Sequence, residues 1–282
     1  MIISSLDPDV LFLGANGFIG RNLVQSLSTI LSISNLYSYD RQNHLIKSNS
    51  QIEYFDPSVF FKKQKKLVII NLMKESHNAS PTETIHANFT KPLEILESVS
   101  RKTTMVWIQV NSYYQFKYMF EGMDKDLYSK SRREFSELLR KEKAKNRDLK
   151  TLEVYLPHVY GFGERQDRLF AKLRHGLKCG EEVLLTSGRQ YLPIIQIGDC
   201  VRAMCEILSN INMEKVYVAP EAQKMIRDYI RIINQKSERK LKVEFNSLPD
   251  RENEFFSFFN FPKEVYVWQS KIKENFVDYV TG

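Results

Sequence analysis

The chain has 282 residues, 43% of them hydrophobic and 27% charged, a balance that fits a folded globular protein and excludes a disordered or fibrous chain. The formal net charge is +7, but the basic residues are spread along the chain, so no nucleic-acid partner is expected and "KKQKK" and "RKEKAKNR" read as solvated helix ends. No apolar run reaches the roughly 18 residues of a membrane-spanning helix, so no membrane association is expected.

The opening "MIISSLDPD" lacks the basic stretch and long apolar run of a secretory signal, which points to the cytoplasm. The first strand candidate, "VLFLG" (10–14), runs into "GANGFIG", Gly14 to Gly20, and then into the helical pattern "FIGRNLVQSLSTIL", with Ile19, Leu23, Leu27 and Ile30 on one face. Glycines between a strand and a helix let the backbone approach a pyrophosphate closely, and the helix N-terminus supplies unpaired N–H groups. The second strand, "NLYSYD" (35–40), ends in Asp40, placed where a carboxylate accepts hydrogen bonds from an adenosine ribose. Arg41 beside it could instead pair with a 2′-phosphate, so the choice between NAD and NADP stays open.

Further strands are expected at "IEYF" (52–55), "KLVIINL" (66–72), "TMVWIQV" (104–110) and "TLEVYL" (151–156). Their near-continuous apolar character predicts burial on both faces, as in a parallel sheet. Helical patterns fill the intervals at "HANFTKPLEILESVS" and "YSKSRREFSELLRKEK", the latter turning Phe135, Leu138 and Leu139 inward. The alternation predicts an α/β fold with a doubly wound parallel sheet over residues 1–160 and a smaller C-terminal lobe over 161–282, packed on the first and returning some elements to the sheet.

In that lobe, "DRLFAKLRHGLKCG" is a helix that Gly180 would cap. Short strands at "EVLLTS" and "YLPIIQI" flank a "GRQ" turn, and "GDCVRAMCEILSN" is a helix that Asp199 would cap. A strand at "VYVAP", a helix over 222–235, a strand at "LKVEFN" and a last helix near 264–275 complete the pattern. The cysteines, Cys179, Cys200 and Cys205, have no CxxC spacing, and the latter two should pack as small apolar groups on one helix. No histidine pair has metal-ligand spacing with a carboxylate, so no metal is expected.

Several segments in order resemble the extended short-chain dehydrogenase/reductase superfamily, and within it the nucleotide-sugar reductases of the CDP-abequose/CDP-paratose synthase type. These are "GANGFIG", "LVIINLMK", "HANFTKPLEILE" with Asn88 as a bracing asparagine, "LEVYLPHVYGFGE", "LLTSGRQ…IIQIGDCVRAMCEIL" and "DRENEFF". The resemblance implies a Rossmann sheet and NADPH as cofactor, with NAD as the alternative. It implies a nucleotide-sugar substrate and a homodimer. It places Asn16, Phe18, Ile19, Asp56, Leu72, Met73, Pro157, His158 and Val159 with Gly14, Gly17 and Gly20 around the cofactor. Arg251 would meet the substrate's pyrophosphate. Arg189 either reaches the substrate or is an ordinary turn residue, because the arginine that usually follows the glutamine of "GRQ" is replaced by Leu192.

The implied chemistry is reduction of a 4-keto-6-deoxyhexose: hydride goes to C4 and a tyrosine protonates O4. That tyrosine normally has a lysine four residues on. Here two registers compete, Asp126 with Lys130 or Tyr128 with Arg132. Residues four apart share a helix face, whereas Tyr128 and Lys130 would oppose each other, and "LYSKSRREFSE" favours the second register. Arginine keeps the charge but cannot relay a proton, which implies slower turnover. The serine or threonine expected at the end of the fifth strand falls on Val110, leaving Asn111 or Ser112 to hold the substrate oxygen, unless both are plain turn residues. Two further readings stand beside reduction: an epimerase or dehydratase that retains NAD, and a non-catalytic cofactor binder.

Overall fold

A computed structural model describes residues 8–30, 35–39, 44–47, 54–73, 79–99, 103–115, 127–209, 212–250, 256–258, 266–269 and 276–282. The chain divides into two compact units, residues 1–155 with 204–217 and residues 156–203 with 218–282.

The first unit is built on strands β1 (Asp9–Leu13), β2 (Leu36–Tyr39), β3 (Leu45–Lys47), β4 (Tyr54–Phe55), β5 (Lys66–Asn71), β6 (Thr104–Ser112), β7 (Leu149–Leu156) and β11 (Lys215–Val218). Their order is β11–β7–β6–β5–β1–β2–β3–β4. β1 pairs in parallel with β2 on one side and β5 on the other, and β5 pairs in parallel with β6. The order therefore reverses at β1, and the crevice beyond the carboxyl ends of β1 and β5 is the switch point where such sheets take ligands. The doubly wound α/β arrangement expected from the alternation is present. At the far edge the sheet departs from it: β3 pairs antiparallel with both β2 and β4. The segment between β2 and β3 is too short for a parallel crossover, which needs a dozen residues or more.

Helix α1 (Phe18–Ile30) buries Leu23 and Leu27 completely. α2 (Pro57–Lys63) starts at Asp56, whose carboxylate caps it, with Pro57 at the first helical position. α3 (Pro81–Ile85) opens on a reciprocal capping box between Ser80 and Glu83. It passes into a π-helical turn (His86–Thr90) and then α4 (Lys91–Ser98). The π turn lies just before Pro92, which has no N–H for the carbonyl of Asn88 and would crowd it in a regular helix. α5 (Leu127–Lys145) buries Tyr128, Arg132, Phe135 and Leu139 along one stripe.

In the second unit, β8 (His158–Tyr160) pairs in parallel with β10 (Tyr191–Gln196), and β10 pairs antiparallel with β12 (Ala222–Met225). β9 (Glu182–Leu184) pairs in parallel with β13 (Lys242–Glu244). The two strands flanking the "GRQ" turn are thus not each other's partners. Helices α6 (Leu169–Cys179), α8 (Ile226–Lys236) and α9 (Phe276–Thr281) enclose a core of Tyr160, Phe170, Tyr229 and Phe276. The helix expected over 222–235 gives its first residues to β12, because pairing with β10 overrides the helical pattern. Of the helix expected near 264–275, residues 264–265 and 270–275 lie outside the described residues and β14 (Tyr266–Trp268) occupies the middle, while a helix is described at 276–281. Gly180 caps α6 in the left-handed conformation. Helix α7 (Ile197–Ser209) already includes Asp199 in its first turn, where it pairs with Arg202 at 3.2 Å, so it is not the cap. Cys200 and Cys205 are buried on α7, and burial pushes their thiols up to about 12 and about 11.

Candidate active site

The glycine turn sits at the end of β1 because nothing larger fits. Gly14 has a φ of 87°, and a Cβ there would lie 3.0 Å from the Leu72 carbonyl carbon and the Met73 nitrogen. A Cβ on Gly20 would lie 2.3 Å from the Gly14 carbonyl oxygen and 2.7 Å from that of Ala15. The turn closes through Gly17 N–H to Gly14 O at 3.1 Å, and Leu72 N–H to Leu13 O at 2.8 Å fixes the end of β5 beside it. Asn16 and Gly17 are exposed, and Phe18 and Ile19 are half-buried at the start of α1. This is the cradle a pyrophosphate requires: close backbone approach at a helix N-terminus. The glycines, Leu72 and Met73 fit a dinucleotide on this observation.

Next to it lies a buried cation. Arg132 is 2% exposed. Its Nη1 donates to Met73 O at 2.6 Å and to Asn88 Oδ1 at 3.4 Å, and its Nη2 donates to Val110 O. The guanidinium therefore ties the ends of β5 and β6 to the π turn. Asn88 is held from the other side, its amide donating to Ser131 Oγ at 3.2 Å. Tyr128, one turn before Arg132 and 7% exposed, has the guanidinium carbon 5.7 Å from its ring centroid. The two share a face, as the four-residue spacing predicts.

Asn111 is turned elsewhere. Its amide donates to Glu153 Oε2 at 3.3 Å and Ser136 Oγ at 3.4 Å, and its oxygen accepts from Gln109 and Gln115. Glu153 also accepts from Tyr155 at 2.6 Å and faces Arg140 at 3.5 Å. Burial, then the Glu153 carboxylate, push the Tyr155 phenol far up. Asn111 is thus a member of an interior network, which leaves Ser112 as the hydroxyl at the end of β6. Ser112 Oγ accepts from Tyr114 N–H at 3.4 Å. Asp56 is exposed and its carboxylate accepts from Ser58 N–H at 2.8 Å; the Ser58 side chain and then this N–H hold its pKa below the ordinary value.

In the second unit, Pro157 and Val159 are buried, and His158 Nδ1 lies 3.3 Å from Arg168. Arg189 is exposed in the turn before β10, its N–H donating to Ser187 Oγ at 3.4 Å. Asp40, Arg41 and Arg251 lie outside the described residues. The reading of the sequence missed Ser131 and the network joining Asn71, Gln109, Asn111 and Glu153. The signal was polar residues ending apolar strands.

The strand order, the switch point and the glycine turn define a Rossmann-type fold. Residues 10–219 match the NAD dependent epimerase/dehydratase family, and the chain belongs to that family. It is 23% identical over 262 residues to a CDP-abequose synthase of Salmonella muenchen, covering 88% of this chain and 87% of that one. Among solved structures it is similar to UDP-glucuronic acid 4-epimerase from Bacillus cereus in complex with UDP-glucuronic acid and NAD, with a TM-score of 0.71 at 15% identity and 96% of each chain covered. It is also similar to RMD from Pseudomonas aeruginosa complexed with NADPH, with a TM-score of 0.67 at 12% identity, covering 97% of this chain and 96% of that one. Among the described residues no helix is long and apolar enough to cross a membrane.

Proposed function

We propose that the protein is an NAD(P)-dependent reductase of a nucleotide-linked 4-keto-6-deoxyhexose, preferring NADPH. One observation carries the reading: Tyr128 and Arg132 stack on one face of α5, with Arg132 bonded to Met73, whose own nitrogen borders Gly14. Gly14, Gly17 and Gly20 would hold the pyrophosphate, with Leu72 and Met73 beside the glycine turn. When bound, the cofactor supplies the hydride. Tyr128 gives its proton to the sugar oxygen, and the fixed charge of Arg132 stabilises the phenolate left behind. Arg132 cannot pass a proton on, so Tyr128 must recover its own from solvent, the first proton leaving on the product hydroxyl. The curated relative's name, CDP-abequose synthase, supports a CDP-linked sugar as substrate.

A second reading is a non-catalytic cofactor binder. It draws on the end of β6, where Val110 offers no hydroxyl and Asn111 is engaged with Glu153 and Ser136.

The test is incubation of the purified chain with NADPH or NADH and CDP-4-dehydro-6-deoxyglucose, following loss of reduced-nicotinamide absorbance. Turnover is expected with NADPH, falling about 10²–10⁴-fold in Tyr128→Phe, the usual worth of a positioned acid. Arg132→Lys should keep or raise it. Cofactor binding without turnover would move the reading to a binder. Tightly held NAD with no net consumption would move it to an epimerase.

A further inference from the structure

A second cluster with binding chemistry lies at the end of α6, in the second unit. His175 and Cys179 are four residues apart and share a helix face. The helix stops at Gly180, which has a φ of 74° and donates to Gly176 O at 2.8 Å. A Cβ on Gly180 would meet nothing, so glycine is needed there for the turn rather than for space. That turn returns Glu181 to the same face. His175 Nε2 lies 3.3 Å from Glu181 Oε2, and Cys179 Sγ lies 3.7 Å from His175 Nδ1. One candidate ligand atom from each residue lies within 4.8 Å of the other two, and all three side chains are exposed.

The backbone beneath them is pinned. Arg239 donates to the carbonyls of Leu177 at 3.2 Å and Lys178 at 2.6 Å. α6 packs so closely on β9 that a Cβ on Gly176 would come within 2.4 Å of Val183 Cγ2. The ligands thus project from a rigid corner, while their own side chains can rotate.

We propose that His175, Cys179 and Glu181 form a binding site for a zinc ion. Zinc bonds of about 2.0–2.3 Å in tetrahedral geometry set neighbouring ligand atoms roughly 3.3–3.7 Å apart. With one ligand atom of each already within 4.8 Å of the other two, rotations of these exposed side chains close the remaining distance. The histidine ring turns its two nitrogens toward different partners, so a rotation of this exposed ring must present one of them to the ion. A thiolate and a carboxylate together match the charge of Zn²⁺, and the thiol proton is released to solvent on binding. The imidazole completes the protein's share and water takes the fourth position. Sulfur and nitrogen donors disfavour magnesium and calcium, which take oxygen. The ion would clamp the last turn of α6 to the start of β9. The sequence raises no such expectation, because its histidines are scattered and the third ligand arrives only through the left-handed turn at Gly180.

The experiment uses the full, untagged chain under reducing conditions, stripped of metal and titrated with Co²⁺ and then Zn²⁺. Co²⁺ should give a thiolate charge-transfer absorption that saturates at one ion per chain and is displaced by Zn²⁺. Cys179→Ser should remove that band, and His175→Ala should weaken Zn²⁺ affinity at least about 10-fold. Zn²⁺ should raise the melting temperature of the native chain but not of Cys179→Ser. All substituted side chains are exposed, and far-ultraviolet circular dichroism checks that the variants fold. A Co²⁺ spectrum without the sulfur band, or unchanged Zn²⁺ affinity in His175→Ala, overturns the proposal. None of these readouts depends on reductase activity.

Discussion

The two units bury different things. The first buries polar side chains at the ends of its strands: Asn71, Asn88, Gln109, Asn111, Arg132 and Glu153 are each at most 5% exposed. The second fills its interior with rings, Phe170 lying 5.0 Å from Tyr160, 5.6 Å from Tyr229 and 6.3 Å from Phe276. Rings pack without demanding partners beyond a hydroxyl bond or two, so such a core gives stability from burial and contact. A buried polar network gives little net stability, but it fixes orientation, because each group left unbonded carries a penalty. The contrast assigns orientation of the site to the first unit and bulk cohesion to the second.

The largest expected effect tests the second half of that contrast. Phe170→Ala removes a fully buried ring from the centre of the aromatic cluster. It should cost about 3–5 kcal/mol in denaturant unfolding, the usual range for such truncations. Unfolding by intrinsic fluorescence checks it, and a loss under about 1 kcal/mol would mean that the cluster is not the source of cohesion there.

Arg132→Met tests the first half. It keeps a long apolar stem but leaves the carbonyls of Met73 and Val110 and the amide oxygen of Asn88 without their donor. Each buried polar group left unbonded costs about 1–3 kcal/mol. Removing a buried cation that has no carboxylate partner among the described residues returns part of that, so a net loss of about 2–3 kcal/mol is expected. Cofactor affinity should fall with it, since the end of β5 beside Gly14 loses its tie. Arg132→Lys should recover most of the stability. A variant as stable as the native chain, with unchanged cofactor binding, would show that the network orients nothing.

This division was legible in the sequence only where its cause is local. The glycine turn was readable because Gly20 is forced by the Gly14 and Ala15 carbonyls within the motif, whereas the walls around Gly14 come from the distant Leu72 and Met73. The shared face of Tyr128 and Arg132 followed from helix period alone. The fate of Asn111 was not readable, because alternation along β6 says that neighbours face opposite sides, not which side carries Ser136 and Glu153. The π turn before Pro92 looked like an ordinary amphipathic helix for the same reason: the pattern survives the change of register. In the second unit the strand partners lie far apart in sequence, as β9 and β13 do, so no short window contains both. Asp40 and Arg41, expected from the sequence to select the nucleotide, lie outside the described residues, so the choice between NAD and NADP rests with the titration.

The smallest expected effect concerns a carboxyl that the aromatic unit buries beside its rings. Glu164 is 5% exposed, and burial pushes its pKa from 4.5 up to about 7, against the opposing pull of the Tyr279 hydroxyl and the Arg168 cation. A carboxyl with a raised pKa holds its proton longer in the folded chain than in the unfolded one. Between pH 4.5 and about 7 the folded state therefore binds more protons, and stability must fall as pH rises through that window. Below it Glu164 is neutral in both states and the contribution is fully present; above it the contribution is gone. Each displaced pH unit is worth about 1.4 kcal/mol, which sets a ceiling near 3 kcal/mol. Phe162, two residues earlier, is 60% exposed, so water reaches this loop and about 2 kcal/mol is the realistic size. Glu164→Gln keeps the shape without the charge. Its unfolding free energy should match the native chain at pH 4.5 and exceed it by about 2 kcal/mol at pH 8. Parallel curves for the two proteins across that range would mean that the carboxyl is hydrated or paired in solution. The unit's buried polar groups would then reduce to partnered ones such as Asp199, which pairs with Arg202, and its contrast with the polar-lined first unit would be the sharper.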